Sequence, residues 1–154
     1  MQTFKEAIKD LSKQEIFTNF KGDLVSVFGI LEKNNITWQL NYKDNENNIT
    51  TFTPSESKKS EKQKALEEDT NLQTINAEEV KVDIDKALEI LNNILKEYNE
   101  EITKTIISLH KKDLIFWNFT LLTTSLKVIN IRINAINEEI ILNKVNSVLE
   151  FRKN

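Results

Sequence analysis

The sequence predicts an α+β protein of two similar units, each with one helix packed on a three- to four-stranded antiparallel sheet. Apolar residues recur at the three-and-four spacing of an amphipathic helix in two segments, residues 3–20 and 80–98. Each segment is followed by short stretches in which β-branched and aromatic residues alternate with polar ones, as in half-buried strands. The order of one helix followed by strands therefore occurs twice in the chain.

The first unit is predicted to span residues 1–54. Its helix begins at Thr3 and reaches about Phe20. Residues 24–31, 36–42 and 49–53 read as three antiparallel strands, and Pro54 ends the last because proline cannot donate to a sheet. Alternation in the second strand places four side chains on its buried face: Ile36, Trp38, Leu40 and Tyr42.

Residues 55–79 differ in composition from both flanks, because they are rich in acids and lysines and poor in large apolar side chains. Such a segment cannot define a core-facing stripe. We predict a mobile connector here, with good helix formers at residues 58–68 that allow an exposed helix.

The second unit is predicted to span residues 80–154. Asp83 is a candidate N-cap for its helix, and residues 102–109, 114–123 and 126–135 read as strands. A polar turn is expected at residues 110–113. The tail predicts a brief strand at residues 140–142 and then a helix that buries Ile141, Val145, Val148 and Leu149.

The two halves can be aligned on each other, which predicts an internal repeat. Residues 4–8 match residues 84–88 at an offset of 80, and Trp38 matches Trp117 at an offset of 79. The alignment leaves two arrangements open. The two units either sit side by side or pair their sheets.

The second half also resembles a known family, the PepSY domain. The stretch VKVDIDKALEIL at residues 80–91 resembles its short helix, and VINIRINAINEEIIL at residues 128–142 resembles its closing strand and turn. Asn134 stands where the family usually has Asp, and Glu138 stands where it has Gly. The resemblance implies a cystatin-like module, often in tandem, that is associated with peptidase propeptides and cell-envelope proteins, binds or inhibits, and has no catalytic residues.

Composition excludes several function classes. The 21 basic and 24 acidic residues leave a net charge of −3, which argues against binding to nucleic acid. The absence of cysteine excludes disulfides, thiolate metal sites and cysteine nucleophiles. No apolar run approaches the roughly 18 residues of a membrane span, so no membrane insertion is expected. No signal sequence is evident, which predicts a cytoplasmic location unless a leader has been removed.

No group of residues predicts an enzyme. His110, the one histidine, lies in a predicted turn without the nucleophile and orienting carboxylate that a catalytic base needs. Adjacent acids such as Glu138 and Glu139 point in different directions on any regular element. Gly22 and Gly29 do not form a phosphate-binding pattern. We therefore expect no catalytic residue, no cofactor and no metal site.

The aromatic residues of the strand at residues 114–123 are the candidate binding surface. Alternation places Phe116 on one face, and Trp117 and Phe119 on the other, so one of the faces can expose an aromatic patch. We predict a non-catalytic module that recognises a protein or peptide through a sheet face or a strand edge. The alternative is a small cytosolic regulator or adaptor that forms a homodimer through an exposed edge.

Overall fold

Nine antiparallel strands form one sheet with two helices on a single face in this computed structural model, which describes residues 1–66 and 71–148. The α+β class predicted from the sequence is confirmed. The helices are α1 (Phe4–Ser12) and α2 (Ile84–Leu95). The strands are β1 (Asp23–Glu32), β2 (Asn35–Lys43), β3 (Asn48–Thr53), β4 (Lys58–Lys59), β5 (Gln63–Lys64), β6 (Ile102–Lys112), β7 (Leu114–Thr123), β8 (Lys127–Asn134) and β9 (Ile140–Ser147).

Strand pairing joins the two halves of the chain directly. The order across the sheet is β4, β3, β2, β1, β6, β7, β8 and β9, and β5 also pairs with β3. Strands β1 and β6 therefore meet in the middle, where Phe28 lies opposite Ser108. The strands of the first and second halves of the chain therefore belong to one continuous sheet.

Two buried tryptophans lie at the centre of the core on the helical face of the sheet. The ring centroids of Trp38 and Trp117 are 5.9 Å apart. The indole nitrogen of Trp38 donates to the carbonyl of Gln2 at 2.9 Å, and that of Trp117 donates to the carbonyl of Val82 at 2.7 Å. Each indole therefore binds the backbone immediately before one of the helices, which satisfies a donor that burial removes from water.

Asp83 connects the two helices at their first turns. Its carboxylate accepts from the backbone nitrogen of Ile84 at 2.6 Å, as the predicted N-cap does. The same carboxylate accepts from the backbone nitrogens of Phe4 at 3.0 Å and Lys5 at 3.2 Å. One negative charge therefore serves the positive ends of both helices, a role that the sequence pattern did not suggest.

Helix α1 ends at Ser12, earlier than the predicted end near residue 20. Beyond it the chain turns so that Phe17 and Phe20 pack against the sheet. Their rings lie between 5.0 and 5.8 Å from those of Tyr42 and Phe52. Burial of two phenylalanines outweighs the gain from two further helical turns, whose side chains would face water.

The exposed helix that the sequence allows at residues 58–68 of the predicted connector is absent from residues 58–66, and the mobility of the connector stays a prediction. Residues 58–59 and 63–64 form short strands on β3 instead of a helix, and residues 67–70 lie outside the described part. Residues 71–82 pack against the fold. Leu72 and Ile75 are 9 % and 4 % exposed, and the backbone nitrogen of Ile75 donates to the carbonyl of Leu24 at 2.7 Å.

Two local predictions in the second half are also wrong. Strand β6 continues through His110 to Lys112, and Asp113 alone takes the left-handed conformation of the turn, at φ 65°. The tail continues as strand β9, where a helix was expected from its apolar spacing, because seven of its eight residues pair with β8. Leu149, the last residue of the predicted helix, lies outside the described residues.

The turn after β8 forms without the glycine that a PepSY domain usually has. The Asn134 side chain accepts from the backbone nitrogens of Ile136 and Asn137 at 2.8 and 3.2 Å. Glu138 then takes φ 67°, which costs a residue with a Cβ about 1–2 kcal/mol.

Replacing Glu138 with glycine is expected to raise the free energy of unfolding by about 0.5–1 kcal/mol. Relief of the left-handed strain exceeds the entropy that glycine loses on folding, and the half-exposed ion pair with Lys86 at 3.7 Å contributes little. Urea denaturation measures the change. The matched control is Glu139→Gly, at a residue without positive φ, which should lower stability. Equal stability of the two variants would contradict the strain argument.

The phenol of Tyr42 should lose its proton at a higher pH than an exposed tyrosine does, because it is buried. Desolvation raises the pKa of its phenol from 10.0 to about 12. Between these values the folded protein keeps a proton that the unfolded chain releases, so the free energy of unfolding should fall as pH rises from 10 to 12. The ultraviolet absorbance of phenolate follows the titration. Tyr42→Phe should remove the late component, and its persistence in that variant would refute the assignment.

Candidate functional site on the open sheet face

The structure separates the three aromatic residues predicted as a binding surface. Trp117 and Phe119 are 0 % exposed and belong to the core between the sheet and the helices. No partner can touch them, because their face of the sheet is the one that the helices cover. This part of the prediction is wrong. Phe116 alone lies on the opposite face, where it is half-buried.

The face of the sheet that carries Phe116 has no helix packed on it among the described residues. We call it the open face. Strand register arranges its side chains in rows that cross the sheet. The central row runs through Gln39, Phe28, Ser108, Asn118 and Arg132, which are paired from β2 to β8.

Two further rows flank the central one. One row contains Asn41, Ser26, His110 and Phe116, and the other contains Thr37, Ile30, Ile106, Thr120 and Asn130. All of these residues except Thr37 are half-buried. The face therefore mixes amide and hydroxyl groups with apolar side chains, as protein-binding surfaces do.

A shallow groove of about 480 Å³ lies in the middle of the open face, over the junction of β1 and β6. Both apolar and polar side chains line it. It is lined by Ser26, Val27, Phe28, Gln39, Asn41, Ile106, Ser108, His110, Asn118 and Thr120. None of the described residues that line it is acidic. The groove depends on pairing between β1 and β6, so neither half of the chain contains it alone.

Hydrogen bonds and ring contacts hold the polar side chains of this face in place. Arg132 donates through Nε to Asn118 Oδ1 at 3.1 Å, and its guanidinium lies 5.3 Å from the centre of the Phe116 ring. His110 meets the same ring edge-on at 6.2 Å. Across β1 and β2, Asn41 donates to the Ser26 hydroxyl at 2.9 Å. These contacts reduce the side-chain entropy that binding would otherwise remove.

Among the three rows of the open face, the one Lys, Arg, Asp or Glu is Arg132, at the β8 end. Arg132 and Lys144 are exposed near the β8–β9 edge, and the three rows contain no acidic side chain. A cation at the rim of an apolar surface attracts an acidic group on a partner and steers its orientation.

Two acids among the described residues, Glu100 and Asp44, have a lowered pKa, and neither lines the groove. Glu100 accepts from the Lys127 ammonium at 2.8 Å and from the Ser125 hydroxyl at 2.6 Å, and these hydrogen bonds lower its pKa. Backbone hydrogen bonds, above all from Asn48, lower the pKa of Asp44 within the β2–β3 turn. Among residues 1–66 and 71–148, no three His, Asp or Glu side chains lie together as metal ligands do.

Most of this surface was not predicted from the sequence. The aromatic residues of β7 were the candidates, whereas the apolar side chains that line the groove include Phe28 and Ile106 on β1 and β6. A signal was present, because Phe28 and Ile30 alternate with the buried Val27. The alternation points to a shared surface only if β1 and β6 are neighbours in the sheet. The local pattern of a strand does not determine which distant strand it pairs with.

Comparison with known proteins identifies a similar fold but does not assign the chain to a family. No protein-family model matches the chain, and no curated protein matches its sequence. The structure is similar to the crystal structure of a "putative lipoprotein" from Clostridium difficile 630, with a TM-score of 0.61 and 16 % sequence identity. The alignment covers 93 % of this chain and 92 % of the other. At this identity the similarity establishes that the two proteins share an α+β fold.

Neither helix of the described residues could cross a bilayer. Helix α1 has nine residues and α2 has twelve, whereas a membrane-spanning helix needs about 20.

Proposed function

We propose that this protein is a non-catalytic binding module that recognises a protein or peptide through the open face of its sheet. The observation that carries the proposal is the groove over the β1–β6 junction, which both apolar and hydrogen-bonding side chains line. The partner that fits presents apolar side chains to Phe28 and Ile106 and an acidic side chain to Arg132. An association with peptidases or the cell envelope, which the PepSY resemblance implies, is part of this proposal, and the description of the structural neighbour as a lipoprotein is in line with it.

The proposal includes a duplication of one helix-and-strand unit. The two indole hydrogen bonds support it, because each acceptor lies two residues before the first residue of its helix, Gln2 before Phe4 and Val82 before Ile84. The β1–β6 pairing supports it too. Phe28 pairs with Ser108, the residue 80 positions later, as two copies related by a two-fold axis through this pair would require.

The test is a selection from a displayed random-peptide library against the immobilised full chain. Enriched peptides should combine aliphatic or aromatic residues with an acid, and should shift the backbone amide resonances of Phe28, Ser108 and Asn118. Arg132→Glu should weaken their binding about tenfold, because it replaces an attraction with a repulsion.

The matched control is Lys9→Glu, which makes the same charge reversal on the exposed side of α1. It should leave the affinity unchanged. Circular dichroism checks that both variants keep their fold. Equal loss of binding in the two variants, or resonance shifts confined to the helical face, would refute recognition through the open face.

A second candidate function is assembly of two copies through β9. This strand ends the sheet, and Ile140, Ile141 and Val145 are 47 %, 39 % and 42 % exposed. Val148 donates its backbone nitrogen to Leu126 on the β8 side, so the backbone groups of Asn143 and Val145 face outward. Exposed edges of this length favour pairing with another strand. Light scattering on the full chain and on Val145→Lys distinguishes a dimer formed in this way from a monomer.

A further inference from the structure

The exposed apolar side chains of the protein are concentrated at one edge of the sheet. Eight large hydrophobic residues are exposed among the described residues, and five of them lie on β9 or in the turns at its two ends. The turn between β7 and β8 adjoins the end of β9, because Lys127 pairs with Ser147. The five residues are Leu126, Ile136, Ile140, Ile141 and Val145. Such a concentration of exposed apolar side chains is typical of an interaction surface.

The two ends of the sheet differ in how they are covered. At one end, residues 58–65 run along β3. The backbone nitrogen of Ser60 donates to the carbonyl of Thr51 at 2.8 Å, and that of Ala65 donates to the carbonyl of Asn47 at 2.9 Å. At the other end, β9 pairs with β8 alone among residues 1–66 and 71–148. The outward backbone groups of β9 can therefore pair with a further strand.

The pairing of β9 with β8 fixes the face on which each side chain of β9 lies. Val145 is paired with Ile129, which is buried in the core, so Val145 lies at the rim of the helical face. Lys144 is paired with Asn130 and lies on the open face. Residues directly opposite each other in an antiparallel pair lie on the same face. The register between two copies of β9 would therefore decide which side chain meets Val145 and which meets Lys144.

Two features of β9 restrict the registers in which two copies can pair about a two-fold axis. A pair centred on Lys144 places two ammonium groups directly opposite each other, which is destabilising. A pair centred on Asn143 places Val145 opposite Ile141, but Ile141 is the extra residue of a bulge, where the ladder is interrupted. A pair centred on Val145 avoids both costs, because Lys144 then faces Asn146. A lysine and a bulge limit unselective pairing of edge strands, and of these three registers they leave one.

We infer that β9 pairs antiparallel with β9 of a second copy of this chain about a two-fold axis at Val145. Val145 exchanges two backbone hydrogen bonds with its counterpart. The edge is self-complementary in this register, since Val145 meets Val145 and Lys144 meets an uncharged side chain, and a second copy is therefore the partner that it fits. The inference rests on the second candidate function, assembly through β9, and adds the register. It is independent of binding at the open face.

Single cysteines test the register, because the chain contains no cysteine of its own. Val145→Cys places two thiols at the axis. The Cα atoms of a hydrogen-bonded antiparallel pair lie about 5.5 Å apart, within the range of about 4.4–6.8 Å that a disulfide bridges. The expected result is a disulfide-linked dimer of the full chain in a glutathione redox buffer, detected by non-reducing gel electrophoresis and by the intact mass.

The matched variant is Asn143→Cys, two residues away on the same face of β9. In the inferred register its two copies lie four positions apart along the strands, about 14 Å, so its disulfide should form about tenfold more slowly than that of Val145→Cys, or not at all. Leu114→Cys, at an exposed leucine of β7, measures the rate of random collision. Light scattering under reducing conditions and circular dichroism check that each variant keeps the assembly and the fold of the unchanged chain.

Faster disulfide formation in Asn143→Cys than in Val145→Cys would overturn the register and leave assembly through β9 standing. A dimer in light scattering in which neither variant exceeds the rate of Leu114→Cys would overturn assembly through β9 as well. A monomer at the highest attainable concentration would overturn both. The peptide selection on the open face decides the proposed recognition separately from these results.

Discussion

The fold depends on how two tryptophans and one aspartate join both helices to the middle of the sheet. Trp38 and Trp117 pack against each other, and each uses its indole N–H to bind the backbone just before a helix. A tryptophan suits this task because its ring buries a large apolar area while its N–H requires a partner. Asp83 adds a carboxylate that accepts from the first turns of both helices. Gly29 makes room, since a Cβ there would lie 2.8 Å from Ile36 and 3.1 Å from the Trp38 ring.

This arrangement decides which face of the sheet is available for binding. With both helices held on one face, the side chains of that face are buried and the opposite face stays half-exposed. The β1–β6 pair then makes the open faces of the two halves continuous, so that Phe28 and Ile106 line one groove. The most aromatic strand, β7, contributes its two largest buried rings to the core and only Phe116 to the surface.

Residues 71–82, the segment before α2, pack against the fold and add Leu72, Ile75 and Val80 to the buried set. The backbone nitrogen of Ile75 donates to the carbonyl of Leu24, so this segment joins the second helix to the first strand.

Local pattern in the sequence determined the helices, most of the strands and the alternation that buries Trp38, Leu40 and Tyr42, because these follow from periodicity and capping within a few residues. The local pattern did not determine which strands lie next to each other in the sheet. The pairing of β1 with β6, the continuation of β9 where a helix was expected, and the docking of Ile75 on Leu24 all depend on contacts between distant residues. For the same reason, the sequence identified Trp117 and Phe119 as surface candidates, and only the tertiary structure showed which face of β7 the helices cover.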